Sequence, residues 1–465
     1  MGEKTRYLYG ASVQGIQDFI FKINKLKEVV GASRIVEEVC TSKFAEKLGK
    51  TILEMKQDKN AIVNAAGNIK YIFDDYDSCQ KIVRDFPKTV ATMAPGITIS
   101  QAVVEMAGDF VNFSEAVDEI ERRLHIQRNK PMNHTSPRLM GIARSKETHL
   151  PAVKKMDKRL YDAASVQRME RTNNSNIVRS NTIIHADGNA MGSLFSRLGS
   201  DKEYLKKFSA GLDELVKKCV ETAINTTIEA DRQNILDNTV YINCIICSGD
   251  DVTVMCDSKY ALPFIQNYLY LLENHSKFLL KDTFGDNPPF SCITACAGIA
   301  FLGQKTTFRE GYRIANYLCD LAKNDSFQHR NGNMLPSCAL FYKQTGSVVG
   351  NLESSYYQTM HPAKGHSFLF GPYYLNDTKN RWTIRRFLNF CSESKHEVGL
   401  RKYLIDWIDW MYEDIDRSEL YRKHTIGSQG ITYFSMSTSP VIRDNASYYL
   451  GYDLMTYLAI LLDKK

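Results

Sequence analysis

From residue 181 onward, the apolar residues fall into short β-branched runs alternating with long stretches at helical spacing. "NTIIHAD" predicts a strand, residues 189–234 a long helical region, and "TVYINCIIC" and "VTVMC" the two arms of a hairpin. Helix "ALPFIQNYLYLLEN", strand "SCITACAGIAF", helix "TFREGYRIANYLCDLAKN" and strand "SCALFYK" follow. The order β-α-β-β-α-β-α-β is a ferredoxin-like split βαβ arrangement with one added edge strand.

The first 125 or so residues repeat that order. Strand "RYLYGAS" precedes a long helix over 15–48, hairpin "AIVNAAGNIKYIF", helix 76–90, strand "GITISQAVVE" and helix 113–124. Such a duplication invites a register comparison. Setting "YLYGASVQGIQDF" against "IIHADGNAMGSLF" puts Ser12 opposite Asp187, and setting "NAAGNIKYIF" against "ICSGDDVTVM" puts Asn68 opposite Asp250 and Ile69 opposite Asp251. Every carboxylate of the second copy is neutral in the first. Residues 381–465 are helical in pattern, with Trp407 and Trp410 on one face of "YLIDWIDWMYEDI" as core packing or a docking surface. The expected fold class is therefore α+β: two ferredoxin-like domains in tandem, 1–125 and 181–345, a C-terminal helical domain, 381–465, and connectors at 126–180 and 346–380.

Composition adds constraints. With 465 residues and 43% hydrophobic content, the chain can bury several cores. No apolar run approaches the ~20 residues of a membrane span, and the start lacks a signal-peptide layout, so a cytoplasmic protein without membrane contact is expected. Eleven scattered cysteines suit a reducing compartment. Cys244 and Cys247 have zinc-knuckle spacing, but a three-residue offset on a regular strand sends them to opposite faces, which favours core packing. His361 and His366 cluster with nothing and receive no chemistry. Net charge is +6, yet residues 121–180 hold 14 Lys and Arg against 5 Asp and Glu. This basic block, with "NKPMNHTSPR" and "RTNNSNIVRS" at its ends, is either a solvated linker or a contact for phosphates.

The chemistry lies at "SGDD". Asp250 and Asp251 occupy a tight bend between apolar arms, where neighbouring carboxylates repel and one takes up a proton unless a cation is bound. Gly-Asp is also an ordinary two-residue hairpin turn. Asp187 ends a strand expected in the middle of the sheet, beside that hairpin, so three carboxylates should meet at one sheet edge. Such oxygen ligands suit Mg2+ or Mn2+, and two ions about 3.5–4 Å apart serve in-line displacement at phosphorus. Gly188 and Gly249, with Ser248 before the pair, remove bulk where a triphosphate would approach the backbone. Lys323 is a candidate partner for the β and γ phosphates, although a lysine near a helix end also complements the helix dipole. Arg313, three turns earlier, is a weaker candidate.

"ASVQGIQDFIFKINKLKEVVGASRIVEEV" resembles the first palm domain of the large polymerase/cyclase subunit of type III CRISPR effector complexes. "HADGNAMGSLF", "SGDD", "CAGIAF" and "LCDLAK" resemble its second palm, and "GPYYLND" resembles the connector before its C-terminal helical domain. The resemblance covers roughly residues 6–125 and 180–465. It implies a GGDD-type palm, akin to GGDEF diguanylate cyclases and adenylyl cyclases, that joins nucleoside triphosphates, ATP favoured, into cyclic oligonucleotides for antiviral defence. Carried over by residue, Asp187, Asp250 and Asp251 would hold two Mg2+ or Mn2+ ions, and Ser12, Gly15, Ser33 and Asn68 of a degenerate first palm would help hold the acceptor nucleotide. Ser248 replaces the first glycine of GGDD, and Asn189 stands where an acid is common. No histidine is followed by aspartate and no nuclease domain is expected ahead of the first palm, so DNA cleavage is not expected; residues 126–180 lack the cysteines of a zinc ribbon. The chain reads as a shortened, stand-alone-like member. A second class of function is a scaffold that holds RNA and partner subunits, but a scaffold gains nothing from an exposed acidic trio. The pattern leaves open whether the protein pairs into a dimer.

Overall fold

The computed structural model describes residues 5–21, 26–65, 67–106, 113–129, 143–145, 151–156, 159–170, 181–198, 201–231, 242–286, 288–303, 306–332, 334–344 and 351–462. The first half forms a four-stranded sheet from β1 (Arg6–Gln14), β2 (Ala61–Ala65), β3 (Asn68–Phe73) and β4 (Thr98–Met106), in the order β2-β3-β1-β4. Antiparallel β3 and β4 flank β1. Helix Phe113–Arg128 packs on β1 and β4 through Ala116, Val117, Ile120 and Leu124, an i, i+4 stripe that covers the sheet.

The single helix expected over 15–48 is divided into helices Ile16–Ile20 and Leu26–Glu38, a π turn Val39–Lys43 and helix Phe44–Lys47. Within the π turn, Thr41 Oγ1 donates to Glu37 O at 2.7 Å and Ser42 Oγ to Glu38 O at 3.4 Å. Hydroxyls that capture these carbonyls compete with the regular amide ladder, which periodicity alone does not register.

Between the halves, β5 (Ala152–Met156) and β6 (Arg159–Asp162) form a ribbon, and helix Ala163–Glu170 lies on helix Leu26–Glu38. The contact is at backbone distance: a Cβ on Gly31 would sit 1.9 Å from Arg168 O. Most of "NKPMNHTSPR" and all of "RTNNSNIVRS" lie outside the described residues.

The second half is a six-stranded sheet of β7 (Thr182–Gly188), β8 (Ile242–Ser248), β9 (Asp251–Cys256), β10 (Ala295–Phe301), β11 (Cys338–Lys343) and, after β12 (His366–Ser367), β13 (Tyr373–Tyr374). Its order is β13-β11-β10-β7-β9-β8, with β7 central as expected and β13 one strand beyond the expected set. All of β10 is buried. Gly298 matters there: a Cβ would lie 1.9 Å from Ala315 O and 2.5 Å from Cys319 N, so its absence lets helix Phe308–Gln328 settle directly on the sheet. Helix Lys202–Ala230, capped by Asp201, pairs with helix Ser258–Phe284.

β8 carries a bulge between Cys244 and Ile246, so Cys244 pairs with Val254 and Cys247 with Val252. Those partners are two apart, which returns both cysteines to one face and corrects the expectation of opposite faces. The chain after residue 381 supplies helices Ile384–Ser394, Leu400–Glu413, Ile415–Gln429, Thr432–Thr438 and Gly451–Leu462. It also has strands β14 (Val441–Arg443) and β15 (Ala446–Tyr448), which join β12 in a small sheet that the helical pattern did not anticipate. Asp444 and Asn445 have φ of 46° and 63°, the left-handed pair of a tight hairpin turn, and "DN" is its sequence mark. Trp407 is 1% exposed, in the core, whereas Trp410 is half-buried with the Arg417 guanidinium 5.6 Å from its ring. No helix among the described residues is long and apolar enough to cross a membrane.

Candidate active site

Asp187 stands at the end of β7, one residue beyond the pairing of Ala186 with Val252, and so beside the start of β9. The β8–β9 turn closes with Ser248 opposite Asp251, which leaves Gly249 and Asp250 as its two-residue tip. Gly249 has φ of 64°, where a side chain would be strained, and its N–H donates to Asp213 Oδ1 at 3.3 Å. Gly188 is needed for closeness: a Cβ would meet Asp250 Cβ and Oδ2 at 2.9 Å and Met191 Cγ at 2.6 Å. Two glycines thus bring the three carboxylates together, the arrangement expected from the strand order.

Lys323 comes to the same place. Its Nζ donates to Asp187 Oδ2 at 2.5 Å and to Gly188 O at 3.2 Å, reaching across from the helix seated on Gly298. Burial pulls the Lys323 pKa down, but the Asp187 charge and hydrogen bond outweigh it and hold the ammonium form. Asp250 is pushed up to about 7 by burial and then by Asp187; Asp251 is pushed up to about 7 by burial, Asp187 and Asp250. Both effects disfavour the charged form, and Lys323 offsets them only in part. Asp251 Oδ1 is buried without a hydrogen-bond partner, although the side chain as a whole is 39% exposed. Three carboxylates that disfavour one another's charge, one of them with a buried oxygen that makes no hydrogen bond, fit a divalent cation. Among the described residues, no group of three His, Cys, Asp or Glu side chains already stands as a metal site, and Asp187 is paired with Lys323.

The remaining expected residues separate. Arg313 is exposed. Tyr312 and Lys323 are eleven residues apart and share a helix face, whereas Arg313 is turned roughly 80° from Lys323, an angle that counting turns overlooks. Ser12 and Asn68 face each other across β1 and β3, and Arg128 Nη2 donates to Ser12 Oγ at 2.8 Å. Because Ala65 pairs with Asn68 as Ser248 pairs with Asp251, hairpin register matches Asn68 to Asp251 and not to Asp250, one residue from the sequence alignment. Gly15 has φ of 60° at the start of helix Ile16–Ile20, and Ser33 is half-buried on helix Leu26–Glu38. Asn189, in the place of an acid, donates its Nδ2 to Thr294 Oγ1 at 3.0 Å.

Sequence reasoning missed several residues. His185, two before Asp187, is 4% exposed, and its Nδ1 lies 3.4 Å from Asp251 Oδ1. Burial takes its pKa down to about 4, so the ring is neutral at pH 7. The Tyr312 ring meets it edge-on at 5.1 Å. Lys217 bridges Asp213, at 3.0 Å, to Glu37 of the first half, at 2.7 Å. Period 2 on β7 marks His185 as sharing the face of Asp187, which is the signal that was available.

Residues 181–332 match the Cas10/Cmr2 second palm domain. That stretch, about a third of the chain, is similar to the Cas10/Cmr2 second palm. The match lies on the second ferredoxin-like half; the first half stands in tandem with it, and a helical C-terminal domain follows. Among solved structures, the chain is similar to the Csm1-Csm4 cassette in complex with cA4, at 12% identity and TM-score 0.54, covering 98% of this chain and 70% of that one. The cassette in complex with AMPPNP gives 13% identity and TM-score 0.51, covering 99% and 70%. The cassette in complex with cA3 gives 12% and 0.54, again covering 99% and 70%. At these identities the likeness is one of fold. No curated protein matches the sequence.

Proposed function

We propose that this Cas10-like protein is a metal-dependent nucleotidyltransferase that joins nucleoside triphosphates, ATP favoured, into a cyclic oligonucleotide with release of pyrophosphate. The reading is carried by the convergence of Asp187, Asp250 and Asp251 with Lys323 at one edge of a Cas10/Cmr2 second palm. The 3'-hydroxyl oxygen of one nucleotide attacks the α-phosphorus of the next; the bond from that phosphorus to the oxygen bridging it to the β-phosphorus breaks, pyrophosphate leaves, and the hydroxyl proton passes to water. Asp187, Asp250 and Asp251 would hold two Mg2+ or Mn2+ ions, whose charge would stabilise the attacking and leaving oxygens. Lys323 places an ammonium where charge accumulates on the phosphates, and its bond to Asp187 keeps it there between turnovers. Gly188 and Gly249 leave the adjoining backbone bare. That the related cassettes are complexes with cA3, cA4 and AMPPNP supports adenine nucleotides, and their Csm4 subunit supports a partner subunit for this chain. That company supports a cytoplasmic, antiviral setting.

The test is incubation of the full chain with each labelled triphosphate and Mg2+ or Mn2+, scoring pyrophosphate release and phosphatase-resistant product. Asp250→Ala with Asp251→Ala should abolish both. A linear product retains nucleotidyl transfer and removes cyclisation. No product with or without added RNA, together with salt-sensitive RNA binding, turns the assignment to a scaffold.

A further inference from the structure

Behind Asp251 runs a line of contacts that starts in the other palm. Gln17 Nε2, in the first palm, donates to Tyr312 Oη at 3.0 Å, and the Phe21 ring lies 4.2 Å from the Tyr312 ring. Tyr312, 3% exposed, holds the His185 ring edge-on at 5.1 Å. His185 Nδ1 in turn faces Thr253 Oγ1 at 3.3 Å and the buried Asp251 Oδ1 at 3.4 Å. The segment bearing Gln17 and Phe21 is itself fixed, because Arg168 Nη2 donates to Phe19 O at 2.9 Å and its guanidinium lies 4.4 Å from the Phe19 ring.

We infer that Tyr312, gripped by Gln17 and Phe21 of the first palm, is a positioning residue that fixes the His185 ring behind Asp251, so that the first palm sets the placement of a carboxylate in the second. The inference rests on the nucleotidyltransferase reading of that site. Three mutually repelling carboxylates do not hold one geometry unaided, and a ligand set must be held to within about 0.5 Å to serve catalysis. The support comes from "GIQDFIF" of a palm that has no carboxylates of its own at the matching positions, which gives that motif a task other than binding nucleotide.

Tyr312→Phe keeps the ring and removes the acceptor; Gln17→Leu removes the donor from the other side. Each is compared with the full wild-type chain in kcat, KM for ATP, Mn2+ affinity by calorimetry and melting temperature. Each should lower kcat by about tenfold with KM within about twofold, weaken Mn2+ binding severalfold and leave the melting temperature nearly unchanged. The double variant should be no worse than either single one, since both break the same bond. A merely structural role would lower the melting temperature and spare the kcat of the protein that remains folded. Tyr312→Phe with kcat and Mn2+ affinity both within twofold of wild type overturns the inference while leaving the enzyme assignment standing. If the wild type makes no product, that assignment falls separately and Mn2+ affinity decides alone: weaker binding by Tyr312→Phe supports the inference, and equal or undetectable wild-type binding overturns it.

Discussion

Replacing Asp250 by asparagine should stabilise the metal-free protein at alkaline pH while abolishing its activity. The Asp250 pKa rises from 3.8 to about 7 on folding, because burial and the Asp187 carboxylate disfavour its charge. Between those values the folded protein holds a proton that the unfolded chain releases, so the associated stability is complete below about pH 4 and is lost as pH climbs through 7. Three pH units correspond to a ceiling of about 4 kcal/mol. The neighbouring Asp187 and Asp251 side chains are 38% and 39% exposed, and solvent screening at such a site reduces the figure to about 1–2 kcal/mol. Asparagine keeps the shape and omits the charge, so it recovers that amount at pH 8, or about 3–6 °C in melting temperature. Thermal unfolding with chelator at pH 5 and pH 8 reads the effect: the wild type should melt lower at pH 8 relative to Asp250→Asn, with the gap narrowing to roughly a third at pH 5. Saturating Mn2+ at pH 8 should raise the wild type past the variant, because a bound cation supplies what the acids lack. Equal melting of the two proteins at pH 8 in chelator would refute the account of mutual repulsion at this bend.

Two further outcomes follow from where side chains sit. Lys323→Met should lower nucleotide transfer by about 10²-fold or more, the scale of removing one donor from a site of developing charge, whereas Arg313→Ala, exposed and turned off that face, should leave the rate within about twofold; steady-state rates on the two variants decide it. Trp407→Ala should destabilise the C-terminal domain by about 3–5 kcal/mol, seen as an earlier denaturant transition, because a side chain 1% exposed leaves a cavity.

The order of strands and helices in both ferredoxin-like halves was legible because period-2 and period-3.6 patterns are local, and "SGDD" was legible because a two-residue turn with glycine announces itself. Asp187 could be paired with it once strand order made β7 central. Local patterns stop short of register and close approach. The bulge on β8 decided the face shared by Cys244 and Cys247, the first hairpin's register moved Asn68 by one residue, and competing hydroxyls at Thr41 and Ser42 broke a helix that spacing made continuous. The absent Cβ of Gly298 lets helix Phe308–Gln328 lie directly on the sheet, from which Lys323 reaches Asp187 and Tyr312 reaches the His185 ring. The sequence by itself determined which residue types were available and the order of the elements bearing them. Only tertiary structure decided which of those residues meet, since contacts such as Gln17 with Tyr312, nearly three hundred positions apart, depend on two folded surfaces coming together and leave no trace in any local pattern.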